Sequence, residues 1–290
     1  MAIPESQLKI WSHQGAITMA KTTADSIKNA LNTYDDWPEG AKFEVYLQGS
    51  YKNDTNIRGD MDVDIVVQLN SSFCSNLNEQ EKNFLGIIPA RYGWSEFRND
   101  VLKALRDYYG FNNVSEGNKS IKIKSGSNRL PADVVVCVQY RKYNLQLNDF
   151  IEGMCFWSRN DNRQIINYPK IHYDNGVSKH QNSNGWYKPL VRMFKNMRGY
   201  LEDNYYMNKD LVPSYFLECM LYNVPNSKFG TSYQNTFCNV VNWLGKANLD
   251  DFVCQNEQLN LFGSTPEQWN TNQAKEFIKN LILLWDNWNR

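Results

Sequence analysis

Two apolar runs, each with an aspartate at or next to its start, constrain this chain more than anything else in it: DVDIVVQL at 62–69 and ADVVVCVQY at 132–140. Runs of that length and β-branched content read as strands, and the second, apolar almost throughout, reads as a central strand buried on both faces. FEVYLQ (43–48) and SIKIKS (120–125) add two more strand-like runs, and WSEFRNDVLKALRDYYG (94–110) supplies a helical period among them. Ahead of these, the segment from Pro4 to Leu31 reads as one long N-terminal helix in which Gly15 is the weak point. Beyond about Asn184 the strands stop, and helical patterns follow at 186–203, 213–224 and 272–290. The expected fold is α+β, with residues 1–180 forming the strand-bearing part and 181–290 a helical lobe. The boundary is placed in the polar stretch 173–186, which contains DNG and NSNG.

Alternation along a strand sends Asp62 and Asp64 to one face and Val63 and Ile65 to the other. Two carboxylates that close repel, and a divalent cation is the natural way to neutralise them. Asp133 opens the other run and could bring a third carboxylate to the same place. Three carboxylates suit a two-metal site, in which ions ~3.5 to 4 Å apart activate an attacking hydroxyl and hold the leaving phosphates. Upstream, Gly49 and Ser50 offer a tight turn whose backbone N–H groups and hydroxyl can cradle phosphate. Asp60 shares the strand phase but precedes the apolar bracket, and reads as solvated or outer to the metals.

Composition removes several other classes. Lys plus Arg (31) equals Asp plus Glu (31), so no bulk positive field exists to hold long double-stranded DNA. Six widely spaced cysteines without a CxxC pair, and three histidines, suggest neither a disulfide framework nor a zinc ribbon; reduced thiols are expected. His172 and His180, eight apart, have no cysteine cluster to complete a metal set. No GxSxG or reactive-cysteine context appears. The N-terminus has no basic and apolar leader pattern, and no run approaches the ~20 apolar residues of a membrane span. The expected location is the cytoplasm.

Apolar residues, Gly49-Ser50, then Met61-Asp62-Val63-Asp64-Ile65 and a distant strand aspartate, Asp133, resemble the signature of the polymerase-beta-like nucleotidyltransferase superfamily. With INYPKIHYDNG, WYKPLVRMFKNMRGYL and VPSYFLECMLYNVP added, most of the chain resembles the bacterial cyclic GMP-AMP synthase-like nucleotidyltransferases of antiphage defence. The resemblance implies a small mixed sheet carrying Asp62, Asp64 and Asp133, clasped to a helical lobe with the active site in the cleft between. It implies two Mg2+ ions, with Mn2+ as a substitute, on those aspartates, and nucleoside triphosphates as substrates. Attack of one nucleotide's ribose hydroxyl on another's α-phosphate would release pyrophosphate, and a second attack would close a cyclic di- or trinucleotide read by a separate effector protein.

The same resemblance places Gln48, Gly49 and Ser50 at the phosphates, Lys195 and Ser214 on the triphosphate, Tyr215 against a base and Asn167 in the base pocket. Helical periodicity adds that Lys188, Arg192, Lys195 and Arg198 share one face of the 186–203 helix, where a solvated basic surface is the plainer reading. Ser214 follows Pro213 at a helix start, where free N–H groups favour phosphate. Asn167, just before Tyr168-Pro169, could equally serve the turn. The metal-binding insertion of the animal enzyme has no counterpart here, which argues against activation by double-stranded DNA. Which bases are used, the ring size, the linkage and any regulatory partner stay open. A polynucleotide-tailing enzyme, a protein-modifying nucleotidyltransferase and a catalytically dead binding module are the alternatives. The first should carry a basic primer track, the second is usually shorter, and the third should lack an intact aspartate set.

Overall fold

The computed structural model describes residues 2–59, 62–204, 207–208 and 211–288. In chain order the elements are α1 (Glu5–Trp11), α2 (Thr18–Asn32), β1 (Phe43–Leu47), α3 (Gly49–Asn53), β2 (Val63–Ser75), α4 (Glu79–Phe84), α5 (Trp94–Tyr109), β3 (Val114–Glu116), β4 (Ile121–Ile123), β5 (Ala132–Tyr143), β6 (Phe150–Trp157), β7 (Gln164–Asn167), α6 (Pro169–Asn182), α7 (Tyr187–Asp203), α8 (Ser214–Tyr222), α9 (Tyr233–Leu244) and α10 (Thr271–Asp286). They form two units, one from Ile17–Tyr51 and Met61–Pro169, the other from Met1–Ala16, Lys52–Asp60 and Lys170–Arg290. The helical unit therefore takes in two segments that composition alone assigns to the first half.

In the strand-bearing unit a seven-stranded mixed sheet runs β1-β2-β5-β4-β3, with β6 also on β5 and β7 on β6. Among the described residues of the sheet only β2 and β5 pair in parallel; the other ladders are antiparallel. The two apolar runs are those central neighbours, as their near-continuous hydrophobicity requires. Val63, Ile65, Val66 and Val67 of β2 and Val134 of β5 are fully buried. Val66, Val135, Cys137, Met154, Phe156 and Ile165 pack one cluster, and the Trp94 indole closes it by donating to the Val136 carbonyl at 2.8 Å.

The helical unit is organised around α7. Leu190, Val191, Phe194, Met197 and Leu201 form its apolar stripe, packed against Leu217, Met220 and Leu221 of α8, Phe237 and Val240 of α9 and Phe277 and Leu281 of α10. Ile3 and Leu8 from the N-terminus join this core. That placement explains one correction: the expected single helix from Pro4 to Leu31 is two, α1 and α2. Gly15 donates its N–H to the Asn56 carbonyl at 3.0 Å, and a Cβ there would fall 2.6 Å from the Ile57 oxygen. The chain must bend around 56–57, and only glycine fits.

A second correction concerns 173–186, expected as a boundary. Most of it is α6, whose weak amphipathicity hides it from a periodicity reading; polar side chains tie it down instead. Asn175 Nδ2 donates to the Gln255 carbonyl at 2.8 Å, and Lys179 Nζ to the Val224 carbonyl at 2.5 Å. The six cysteines are free thiols. No helix among the described residues is long and apolar enough to cross a membrane.

Candidate active site

The parallel ladder between β2 and β5 sets Asp64 directly beside Asp133. On the other side of β5, the antiparallel ladder with β4 sets Lys122 beside Asp133. Gln48, following the last residue of β1, donates its backbone N–H to the Asp64 carbonyl at 2.9 Å. Since cross-strand partners share a face, Asp64, Asp133 and Lys122 form one row across three strands. Their sequence neighbours Val63, Ile65, Ala132, Val134, Ile121 and Ile123 are buried on the opposite face. The two carboxylates are partly exposed, and Lys122 Nζ lies 3.9 Å from Asp133 Oδ1 with 60% of its side chain exposed. Sequence reasoning passed over Lys122, although the Ile-Lys-Ile alternation of 121–123 already sends it to the face opposite the core.

Gly49 and Ser50 do not merely turn: they begin the short helix α3. Gly49 has φ +65°, and a Cβ built on it would collide with the Asp64 carboxylate. The glycine therefore supplies both the backbone angle and the room for an aspartate to lie against the start of α3.

Asp62 is exposed and stands one residue before β2, not within it as expected. Asp60 lies outside the described residues. Among the described residues no three His, Cys, Asp or Glu side chains are gathered closely enough to hold a metal ion. The donor set nonetheless fits a hard divalent cation: two carboxylates on adjacent strands, with Asp62 at the entrance to one of them.

Asn167 ends β7 opposite Met154 of β6. Its Oδ1 accepts from the Tyr168 N–H at 2.8 Å, the turn role the sequence offered as an alternative, just ahead of Pro169 and α6.

In the helical unit the four cations of α7 share a face, but it is not solvated, and this corrects the expectation. Lys188 and Lys195 are 8% and 1% exposed. Lys188 pairs with Asp54 at 2.8 Å; Arg192 donates to the Ser12 and Asp54 carbonyls at 2.6 and 2.5 Å; Lys195 donates to the Thr55 carbonyl at 3.0 Å. Arg198 bonds the Val212 carbonyl and Ser214 Oγ at 2.8 and 3.0 Å. Periodicity located the face; what covers it, residues 12 and 54–55, comes from distant sequence. Ser214 is the first residue of α8, with Pro213 as its N-cap rather than its first helical residue.

Beneath this face lies a residue with no signal in the sequence, Glu218. Its carboxylate accepts from Asn53 Nδ2 at 3.1 Å and Thr55 Oγ1 at 3.0 Å, and meets His172 Nε2 at 3.2 Å. Burial works to raise its proton affinity, but the His172 bond and charge, Lys195 and Thr55 outweigh it and hold the carboxyl below the usual range. A group depressed in the folded state contributes stability above its unfolded value, and loses it as pH falls through the folded one. Below about pH 5 the melting temperature of the wild type is therefore expected to fall more steeply than that of Glu218→Gln, which has no carboxyl to protonate. Parallel melting curves would remove Glu218 from the acid transition. Tyr215, one helical turn before Glu218, stacks on His172 with ring centroids 5.4 Å apart.

With that geometry in place, comparison with known proteins is informative. Residues 174–286 match the family model of the cGAS/DncV-like nucleotidyltransferase C-terminal helical domain. The chain is 54% identical to a cyclic UMP-AMP synthase of Rhodothermus marinus, over 99% of both chains. It is 40% identical to the cyclic nucleotide synthase CdnE01 of Staphylococcus haemolyticus, over 99% of this chain and 100% of that one. The solved structure of Rhodothermus marinus CdnE c-UMP-AMP synthase with Apcpp and Upnpp superposes with a TM-score of 0.95 at 53% identity, covering 99% of this chain and 98% of that one.

Proposed function

The chain belongs to the cGAS/DncV-like nucleotidyltransferases, as a cyclic nucleotide synthase working from nucleoside triphosphates, and from that premise we propose that it joins one uridine and one adenosine nucleotide into cyclic UMP-AMP. The observation that carries the site is the register of β2 and β5, which sets Asp64 beside Asp133 with Gly49 against Asp64. The 54% identity to a synthase of that product supports the choice of bases.

Asp62, Asp64 and Asp133 would hold two Mg2+ ions, or Mn2+ in their place, which would supply activation of a ribose hydroxyl and neutralisation of the leaving phosphates. Gly49 and Ser50 seat phosphate oxygens on backbone N–H groups and a hydroxyl, and Gln48, whose own N–H is taken by the Asp64 carbonyl, contributes through its side-chain amide. Ser214 and Lys195 are the triphosphate contacts of the helical unit; Lys195 donates one of its three ammonium N–H groups to the Thr55 carbonyl. Tyr215 stacks on a base. In each of two steps a ribose oxygen bonds to an α-phosphorus and the bond to pyrophosphate breaks, so two triphosphates give one ring and two pyrophosphates. The product serves as a signal read by a separate effector protein in antiphage defence, and the use of nucleoside triphosphates supports the cytoplasm as the place of reaction.

Incubation with all four nucleoside triphosphates and Mg2+, without primer, followed by phosphatase and mass spectrometry, tests this. One resistant species containing one UMP and one AMP residue is expected. A ladder of linear products would favour a tailing enzyme, and a ring of other bases would overturn the choice of uridine and adenosine.

Base choice is assigned to Asn167. With Oδ1 on the Tyr168 N–H, its Nδ2 is the group left to donate to a base carbonyl, as uracil presents. A base lacking that acceptor leaves unsatisfied groups, at a cost of roughly 1 to 3 kcal/mol. Asn167→Ser is expected to lower the uridine share of the product by about tenfold or more while total turnover changes less. An unchanged product with only a lower melting temperature would confine Asn167 to the turn.

A further inference from the structure

Tyr215 packs edge-on to Phe216, with ring centroids 5.7 Å apart, and two further contacts fix it. Its ring lies on His172 at 5.4 Å and 23°, and its hydroxyl takes a hydrogen bond from Asn256 Nδ2 at 3.4 Å. His172 is 6% exposed, yet only one of its ring nitrogens is engaged. Nε2 meets Glu218 Oε1 at 3.2 Å, whereas Nδ1 is buried without a partner among the described residues. An ionised carboxylate can only accept, so the proton of this pair sits on Nε2. One hydrogen bond and one stacked face are thus what set the plane of the imidazole. Without the hydrogen bond the ring turns about its χ2 axis, and Tyr215 loses a fixed backing.

The carboxylate at the base of this arrangement is costly. Glu218 is 5% exposed, and its neighbours Asn53, Thr55, His172 and Lys195 are buried with it. Buried ion pairs are often no more stabilising than apolar residues of the same volume, so stability alone explains such a group poorly. Holding another group at a fixed angle explains it better.

We propose that Glu218 and His172 are positioning residues for nucleotide recognition: Glu218 fixes the plane of the His172 ring, and His172 backs Tyr215 so that its other face meets a nucleobase at a set angle. This rests on the reading of Tyr215 as the stacking residue. The column of rings is His172, Tyr215 and the base. Neither Glu218 nor His172 touches the nucleotide, and both act through Tyr215.

Calorimetric titration of nonhydrolysable UTP and ATP analogues in the presence of Mg2+, across four variants, tests the proposal. Tyr215→Leu should weaken binding by about tenfold or more, the scale of a lost base stack. His172→Phe keeps a ring but loses the bond to Glu218, and His172→Gln keeps a donor for Glu218 but loses the ring; each should weaken binding by about tenfold, with KM rising in step and kcat within about threefold. Thr55→Val removes a different bond to Glu218 and is the control for a merely structural role. It should lower the melting temperature while leaving the dissociation constant within about twofold. If Tyr215→Leu binds like the wild type, the stacking reading fails and the proposal with it. If Tyr215→Leu weakens binding but both His172 variants do not, or if Thr55→Val weakens it equally, stacking stands and the positioning role is overturned.

Discussion

Replacing Asp62 and Asp64 together by Asn is expected to abolish cyclic product, by about a thousandfold or more, while leaving the fold intact. The substitution removes two charges at nearly constant shape. Metal neutralisation of a reacting phosphate is worth several kcal/mol, and about 4 kcal/mol of lost transition-state stabilisation already amounts to about a thousandfold. Stability should not suffer, because Asp62 is exposed and Asp64, only partly exposed, lies in register beside the like-charged Asp133. Pyrophosphate release and a thermal melt of the same sample separate the two effects. Turnover near the wild-type rate would sink the metal assignment, and a collapsed melting temperature would turn these aspartates into structural residues.

Gly49→Ala is expected to have the next largest effect, and Gly40→Ala is its control. Both glycines have positive φ, +65° and +80°, so an alanine at either position carries backbone strain of roughly 1 to 2 kcal/mol. At Gly40 nothing lies within 4 Å of the added carbon, whereas at Gly49 it runs into the Asp64 carboxylate. The backbone strain should therefore cost the two variants a similar amount, with displacement of Asp64 adding to it only at Gly49. Only Gly49→Ala should also lose activity, by about a hundredfold or more, since it drives Asp64, a proposed metal ligand, out of place. Equal activity in the two would show that the approach of Asp64 to α3 has no part in the chemistry.

Local pattern carried the strands that matter and the residues on them. Asp64 and Asp133 were legible because each leads into an apolar run, the helices α5, α7 and α10 because their periodicity is strong, and α8 because an apolar stretch follows Pro213. What pattern could not supply was register. Nothing in DVDIVVQL or ADVVVCVQY says that Asp64 stands beside Asp133 and not two residues along, and Lys122 joined the row only once β4 was placed. Short strands such as β3 and β7 are too brief to show alternation. The break at Gly15 depends on Asn56 and Ile57, the closure of the basic face of α7 on Ser12, Asp54 and Thr55, and Glu218 on partners from three separate stretches. Each of these is a long-range contact, and each was missed or misread for that reason.

The parallel pairing of β2 with β5 has a kinetic side. An antiparallel neighbour can be delivered by a tight turn, but a parallel one needs the chain to cross back, here through residues 76–131. Closing a loop that long is among the slower and entropically dearer events in the folding of a domain this size. The aspartates of the row thus meet only when one of the longest-range ladders in the unit has zipped. A chain with every helix formed but that ladder open has no site at all. Catalytic competence reports on the completion of the sheet in a way that helix content does not, and a newly made molecule cannot begin to make product until the two paired strands farthest apart in the chain have found each other.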